Sequence, residues 1–341
     1  MGPCYNDYIM RFGITAFLLA LIMIPAVVTA QGVPGVSDPI TINLSPENPR
    51  PESTATVILQ SFSIDLDATL ITWTINGKKS SSAVGQKSFS FNTGKLGSVS
   101  RVDVSATSPG ISITRSIIVR PADVSLLWEA DTYTPPFYRG KALHSYNGSF
   151  RVTAIPEMIG ANGKKIDAKD LIYTWKKNGL VVADSSGYGK NQFISSQTSY
   201  LREGEDITVE VSAPRDSIVA SRSITIKPVV PKILFYEKNG LYGTLYGSAL
   251  GSRFSLNQDE ITIGAEPYFF SASSKSSSNI SYSWKLNSSN VPSFTGENEI
   301  TLRRDSDSAG RSNLSVVVQN QNKVLQGAKG DILISFDAKN R

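Results

Sequence analysis

At 341 residues the chain is long enough for two or three domains. Hydrophobic residues at 40% suffice for packed cores and exclude a wholly disordered chain. The net charge of +5 is spread along the length without a basic block or interleaved stacking motif, which excludes a dedicated nucleic-acid binder. Its basic pairs, Lys78-Lys79, Lys164-Lys165 and Lys176-Lys177, read as solvated loop faces. Valine and isoleucine fall in short alternating runs, the pattern of strands, so the chain is expected to be all-β.

Residues 1–30 read as an export signal. Arg11 precedes the apolar run FGITAFLLALIMI, Pro25 breaks it, and VVTA places Val28 and Ala30 where a signal peptidase reads, making Gln31 the first mature residue. The alternative is retention: residues 12–30 are long enough to anchor the chain in a bilayer, the only membrane contact expected. Either way the remainder is exported, to the cell surface or beyond. The single cysteine, Cys4, precedes the apolar run, so disulfides are excluded from the mature chain and each module must stand on a hydrophobic core.

Three copies of one pattern follow. LITWTING, IYTWKKNG and SYSWKLNS each place a tryptophan (Trp73, Trp175, Trp284) on the inner face of an alternating strand. Asn76-Gly77 and Asn178-Gly179 then predict tight hairpins. The third copy has NSSN at that place and is expected to turn through a longer loop. A glycine turn (Gly97, Gly204, Gly310) leads into VDVSA, ITVEVSA or LSVVVQN, and a last strand follows. RSIIVRP at 115–121 and RSITIKP at 222–228 are the same closing strand, 107 residues apart, and Pro121 and Pro228 end it. That step also carries Val102 and Val104 onto Val209 and Val211, and then onto Val316 and Val318. The expected modules are 31–121, 122–228 and 229–341.

Over roughly residues 40 to 340 these features resemble the immunoglobulin-like and PKD-like extracellular β-sandwich modules. The copies lack the inter-sheet cysteine pair of the former and the glycine-aspartate-glycine run of the latter. The resemblance implies a tandem array of three sandwiches and no catalytic residues.

Nothing in the chain builds an enzyme site. His144, in KALHSYNG, is the sole histidine, which leaves no two-histidine metal site, and no glycine-flanked serine accompanies it; an ordinary surface or loop role is expected. DSDSAG at 305–310 spaces Asp305 and Asp307 like a calcium loop, yet Ala309 and Val316 stand where side-chain oxygens are needed. Asp65 and Asp67 are too few for calcium. No cofactor motif is present.

The distinctive material is an aromatic stretch read as an insertion ahead of the sandwich strands in copies two and three: LLWEADTYTPPFYRGKAL (126–143) and ILFYEKNGLYGTLYGSAL (233–250). Trp128, Tyr133, Phe137, Tyr138, Tyr236, Tyr242 and Tyr246 are the candidate contact residues. Because each stretch follows an inter-module proline, they are expected to pack consecutive modules together, with Tyr133, Phe137 and Tyr138 joining modules one and two. The function expected is a non-catalytic secreted or surface scaffold or adhesin contacting surface proteins. The alternative is a carbohydrate- or cell-wall-binding protein using the aromatic loops, its partner a cell-wall polysaccharide.

Overall fold

The computed structural model describes residues 40–195, 203–291, 297–304 and 309–338. The export segment with Cys4, the expected start at Gln31, and Asp305 and Asp307 lie outside the described residues. No helix among the described residues is long and apolar enough to cross a membrane.

The fold is three β-sandwiches. In the first, β1 (Thr41–Ser45), β2 (Thr54–Gln60) and β5 (Ser88–Asn92) form one sheet. The facing sheet holds β3 (Leu70–Ile75), β4 (Lys78–Val84), β6 (Ser100–Ser108) and β7 (Ile111–Val119) in the order β4-β3-β6-β7. First, second and fifth strands on one side, third, fourth, sixth and seventh on the other, is an immunoglobulin-like arrangement.

The second sandwich repeats it. One sheet is β8 (Asp123–Ala130), β9 (Phe150–Glu157) and β13 (Gln192–Ser195). The other is β10 (Ile172–Lys177), with the short β11 (Leu180–Val181) and β12 (Gly187–Tyr188), then β14 (Glu205–Ala213) and β15 (Ile218–Ile226).

The third has β16 (Lys232–Asn239), β17 (Gly243–Thr244), β19 (Glu260–Tyr268) and β22 (Glu299–Arg303) in one sheet. Its other sheet holds β18 (Arg253–Ser255), β20 (Ile280–Leu286), β21 (Ser289–Asn290), β23 (Gly310–Asn320) and β24 (Gly327–Phe336). Each sandwich encloses its own apolar core.

The three tryptophans sit at equivalent points. All are buried, and each indole N–H donates to a backbone carbonyl ahead of the fifth strand: Gln86 at 3.0 Å, Lys190 at 2.8 Å and Glu297 at 2.8 Å. A buried indole needs such a partner, since an unmet donor in the core costs about 1–3 kcal/mol.

The third hairpin is not longer than the others. Leu286 pairs with Ser289, so Asn287 and Ser288 alone make the turn, at φ 49° and 72°, as Asn76-Gly77 and Asn178-Gly179 do in the first two copies. The asparagine explains this. In every copy its side-chain oxygen accepts from the backbone N–H of a residue near the start of the sixth strand, namely Arg101, Asp206 and Asn313. That bond holds the turn, and glycine only relieves the strain that Ser288 bears.

The step of 107 also needs correction on the sixth strand. Trp73 pairs with Val104, Trp175 with Val209 and Trp284 with Val316, so Val104 rather than Val102 is equivalent to Val209. The last strands do keep the step, because Arg115 pairs with Val104 and Arg222 with Val209. The difference is absorbed in the final hairpin: Ser108 pairs with Ile111, whereas Ala213 pairs with Ile218. A slip of two residues keeps every side chain on its face, so all these valines are buried in either alignment. Gly310 lies within a strand rather than in a turn; a Cβ there would meet the Phe336 ring at 2.7 Å.

Candidate functional site

The aromatic stretches do not precede the sandwich strands. Leu126 to Ala130 and Ile233 to Asn239 belong to the first strands themselves, β8 and β16, and the excess lies in the connection to the second strand. Antiparallel pairing then decides where that connection goes. A first strand enters beside the previous module and ends at the opposite pole, next to the module that follows. The connection of module 2, residues 131–149, therefore meets module 3.

Alternation along β16 sends Ile233 and Phe235 into the core of module 3 and turns Leu234 and Tyr236 outward. On the neighbouring β19, Glu266 stands opposite Leu234 and Tyr268 opposite Lys232. This outer sheet face would ordinarily be wet. Instead a second, smaller apolar cluster forms on it, made of Tyr236, Tyr268 and Phe269 with Leu143, Val229, Leu234 and Tyr246.

Glu266 lies at its centre with no solvent exposure. Tyr133 of module 2 donates to its Oε2 at 2.9 Å, while Tyr246 and Lys275 of module 3 reach Oε1 at 3.0 and 2.5 Å. Burial and the adjacent carboxylate push the Tyr133 and Tyr246 hydroxyls up, which keeps both phenols neutral and donating. Burial pulls Lys275 down, but its hydrogen bond to Glu266 and that charge outweigh this, so its pKa is raised and the ammonium persists.

Rings and backbone complete the joint. The Tyr236 and Tyr268 hydroxyls bond each other at 2.7 Å, and Tyr138 sets its edge against Tyr268 and Phe269 at 5.5 and 6.1 Å between centroids. Tyr133 donates its backbone N–H to the Phe270 carbonyl and accepts from Phe269, both at 2.8 Å. Gln326 adds a bond from its amide to the Tyr146 carbonyl at 2.8 Å.

His144 is buried rather than on a loop surface, packed edge-on to Phe150 at 4.9 Å. Its carbonyl accepts from Val229 at 2.7 Å, which ties it to the connection into module 3. Neither ring nitrogen has a hydrogen-bond partner among the described residues. Burial, chiefly, lowers its pKa to about 4.

Four of the seven residues expected from sequence thus meet at one joint: Tyr133, Tyr138, Tyr236 and Tyr246. Tyr133 and Tyr138 join module 2 to module 3, not to module 1 as the preceding proline suggested. Trp128 packs on the core of its own module, with the Lys141 ammonium 3.4 Å from its ring centroid. Phe137 and Tyr242 are exposed, at 90% and 76%. Sequence reasoning missed Glu266, Lys275 and Gln326; the only signal was a carboxylate leading the aromatic run EPYFF. Asp65 accepts from the Asp67 backbone and Asp67 pairs with Lys87, which accounts for both as turn residues.

Beside the joint runs a groove of about 630 Å³. Phe137, Leu245 and Leu250 line its apolar part, and Glu237, Thr244 and Ser248 its polar part.

No family model matches the chain, and no curated protein matches it. Several solved structures are similar. The three N-terminal domains of the highly immunogenic outer capsid protein of bacteriophage RB49 are 12% identical, with 88% of this chain and 98% of that chain covered and a TM-score of 0.26. The central fibronectin-III array of RIM-binding protein is 10% identical, covering 88% and 96%, with a TM-score of 0.31. SGBP-B of the Bacteroides ovatus mixed-linkage glucan utilization locus, in complex with a mixed-linkage heptasaccharide, is 14% identical, covering 85% and 65%, with a TM-score of 0.21. At these scores the likeness adds nothing to the strand order, which by itself makes the modules immunoglobulin-like sandwiches.

Proposed function

We propose that the chain is an exported, non-catalytic scaffold or adhesin whose modules, taken as 31–121, 122–228 and 229–341, hold a binding surface in a set geometry. The observation that carries this is the joint at Glu266. A carboxylate without solvent exposure receives bonds from both modules, and a reciprocal pair of backbone bonds crosses between them. Linked domains are expected to move relative to each other unless their interface is substantial and apolar. Such a joint suits a protein that presents surfaces at fixed spacing. Spin labels at Leu180→Cys in module 2 and Arg253→Cys in module 3, with Cys4→Ser, test it. One narrow distance distribution is expected, broadening with Tyr133→Ala; a broad distribution in the parent chain would remove the reading.

A second reading, saccharide binding, is supported by Phe137. Its backbone sits at φ 64°, and its ring stands in water. Holding a bulky residue there costs about 1–3 kcal/mol with no packing in return, and such strain clusters at functional sites. The ring would cover one face of a sugar while Glu237, Thr244 and Ser248 bond its hydroxyls. Phe137→Ala should abolish retention on cell-wall polysaccharide while leaving the label distance unchanged. Equal retention by parent and variant would discard this reading.

A further inference from the structure

The groove beside Phe137 has a fixed wall and an unbalanced charge. Leu245 donates its backbone N–H to the Glu237 carbonyl at 2.9 Å and Leu250 donates to the Phe235 carbonyl at 2.7 Å, so residues 245–250 are fastened along β16. Phe137, held at φ 64°, lines the same groove from the connection of module 2. The volume of about 630 Å³ falls within the range of about 300–1,000 Å³ usual for small-ligand sites.

Among the described residues Glu237 is the one charged side chain lining this groove. It is half-buried, and among those residues its carboxylate has no hydrogen-bond or ion-pair partner. Neighbouring cations are engaged elsewhere. Successive residues of a strand face opposite ways, so Lys238 leaves on the other face of β16, where it meets Glu299 at 2.5 Å. Lys141 sits over the Trp128 ring, and Arg139 does not line the groove. Tyr246 gives its hydroxyl to Glu266, which leaves only its ring for a ligand. A carboxylate half-removed from water and without a counter-charge attracts a cation more strongly than one in open solvent. The rings add to this, since an aromatic face also draws an ammonium.

We infer that the saccharide held here carries a free ammonium: a polymer of deacetylated hexosamine, with the apolar face of one sugar on Phe137 and an ammonium on Glu237. This rests on the saccharide reading and narrows it to one chemical class. A charge-assisted hydrogen bond is roughly twice as strong as a neutral one, so Glu237 distinguishes the amine from a hydroxyl or an acetamide. A polymer of uronic acid or phosphate would set like charge against Glu237 and is disfavoured. The net charge of +5 gives the chain no general attraction for a cationic polymer, so its retention reports the local carboxylate.

The test titrates the exported full chain with a glucosamine hexamer and with its N-acetylated counterpart, in buffer acidic enough to charge the amine, for the parent, Glu237→Gln and Phe137→Ala. The parent should bind the free amine about tenfold more tightly. Glu237→Gln, which keeps the side-chain shape at a position without partners to lose, should bind both hexamers alike at the weaker level, and Phe137→Ala should lose both. A parent that binds the two hexamers equally, or a Glu237→Gln chain that keeps the preference, overturns this inference and leaves saccharide binding standing. A parent with no affinity for either hexamer or for neutral and acidic cell-wall glycans overturns the saccharide reading and this inference with it. A lysine-rich peptide that matches the glucosamine hexamer in affinity and in dependence on Glu237 overturns the assignment to a sugar.

Discussion

Both joints of this chain set a module's first connection against the next module, and they differ in what that connection brings. Between modules 1 and 2 the polar contact is open to water, with Gly97 set against the Ile159 side chain beside it: Arg50 pairs with Asp123 through two bonds, at 3.2 and 2.9 Å, with the arginine side chain half exposed. Between modules 2 and 3 a buried carboxylate, a cluster of rings and cross-module backbone bonds do the same task. The reason is length and composition. The first connection of module 1, residues 46–53, is short and carries Pro46, Pro49 and Pro51, whereas residues 131–149 are long enough to lay Tyr133 and Tyr138 on the next sheet. An exposed ion pair contributes about 0–1 kcal/mol, while breaking a buried one costs about 3–5. A repeated architecture can therefore hold one firm joint and one soft joint without changing strand order.

Glu266→Gln should break this contrast most strongly. It keeps the shape but leaves the Lys275 ammonium without its counter-charge, so module 3 should lose about 3 kcal/mol in chemical denaturation, with module 1 unaffected. A loss under about 1 kcal/mol would mean that Glu266 is not sealed from water.

Acid should act on the firm joint next. The folded pKa of His144 is lowered to about 4 from the ordinary 6.5, so its contribution is fully present above pH 6.5 and is lost as pH falls toward 4. The slope is roughly 1.4 kcal/mol per pH unit in that window. Glu205, whose charge raises the His144 pKa, and Lys177, which lowers it, are the charged groups acting on the ring. His144→Phe should flatten the dependence of module 2 melting between pH 6.5 and 4; an unchanged slope would assign the acid sensitivity to other groups.

The smallest effect is expected at the soft joint. Arg50→Ala should cost less than about 1 kcal/mol and should matter still less in high salt, because the pair is partly exposed and screened. A larger, salt-independent loss in a denaturation series would place the two joints in the same class.

Much of this protein was legible along the chain because local geometry writes it there. Period-two alternation marked Trp73, Trp175 and Trp284 as core residues, and Asn76-Gly77 and Asn178-Gly179 marked the first two hairpins. The same periodicity concealed the slip between Val102 and Val104, since a shift of two residues preserves the face. It also gave no warning that Asn287-Ser288 would turn as tightly as Asn76-Gly77, because the bond that holds the turn comes from Asn313 on another strand.

The sequence by itself determined the three-fold repeat, the strand faces and the aromatic richness of the connections, all properties of residues close together in the chain. Only the tertiary structure decided what those aromatic residues meet. Antiparallel pairing carried residues 131–149 to the pole facing module 3 and brought the Tyr133 hydroxyl to Glu266, 133 positions away. Burial of that carboxylate depends on donors from three separate segments arriving together, and no local pattern records such a coincidence.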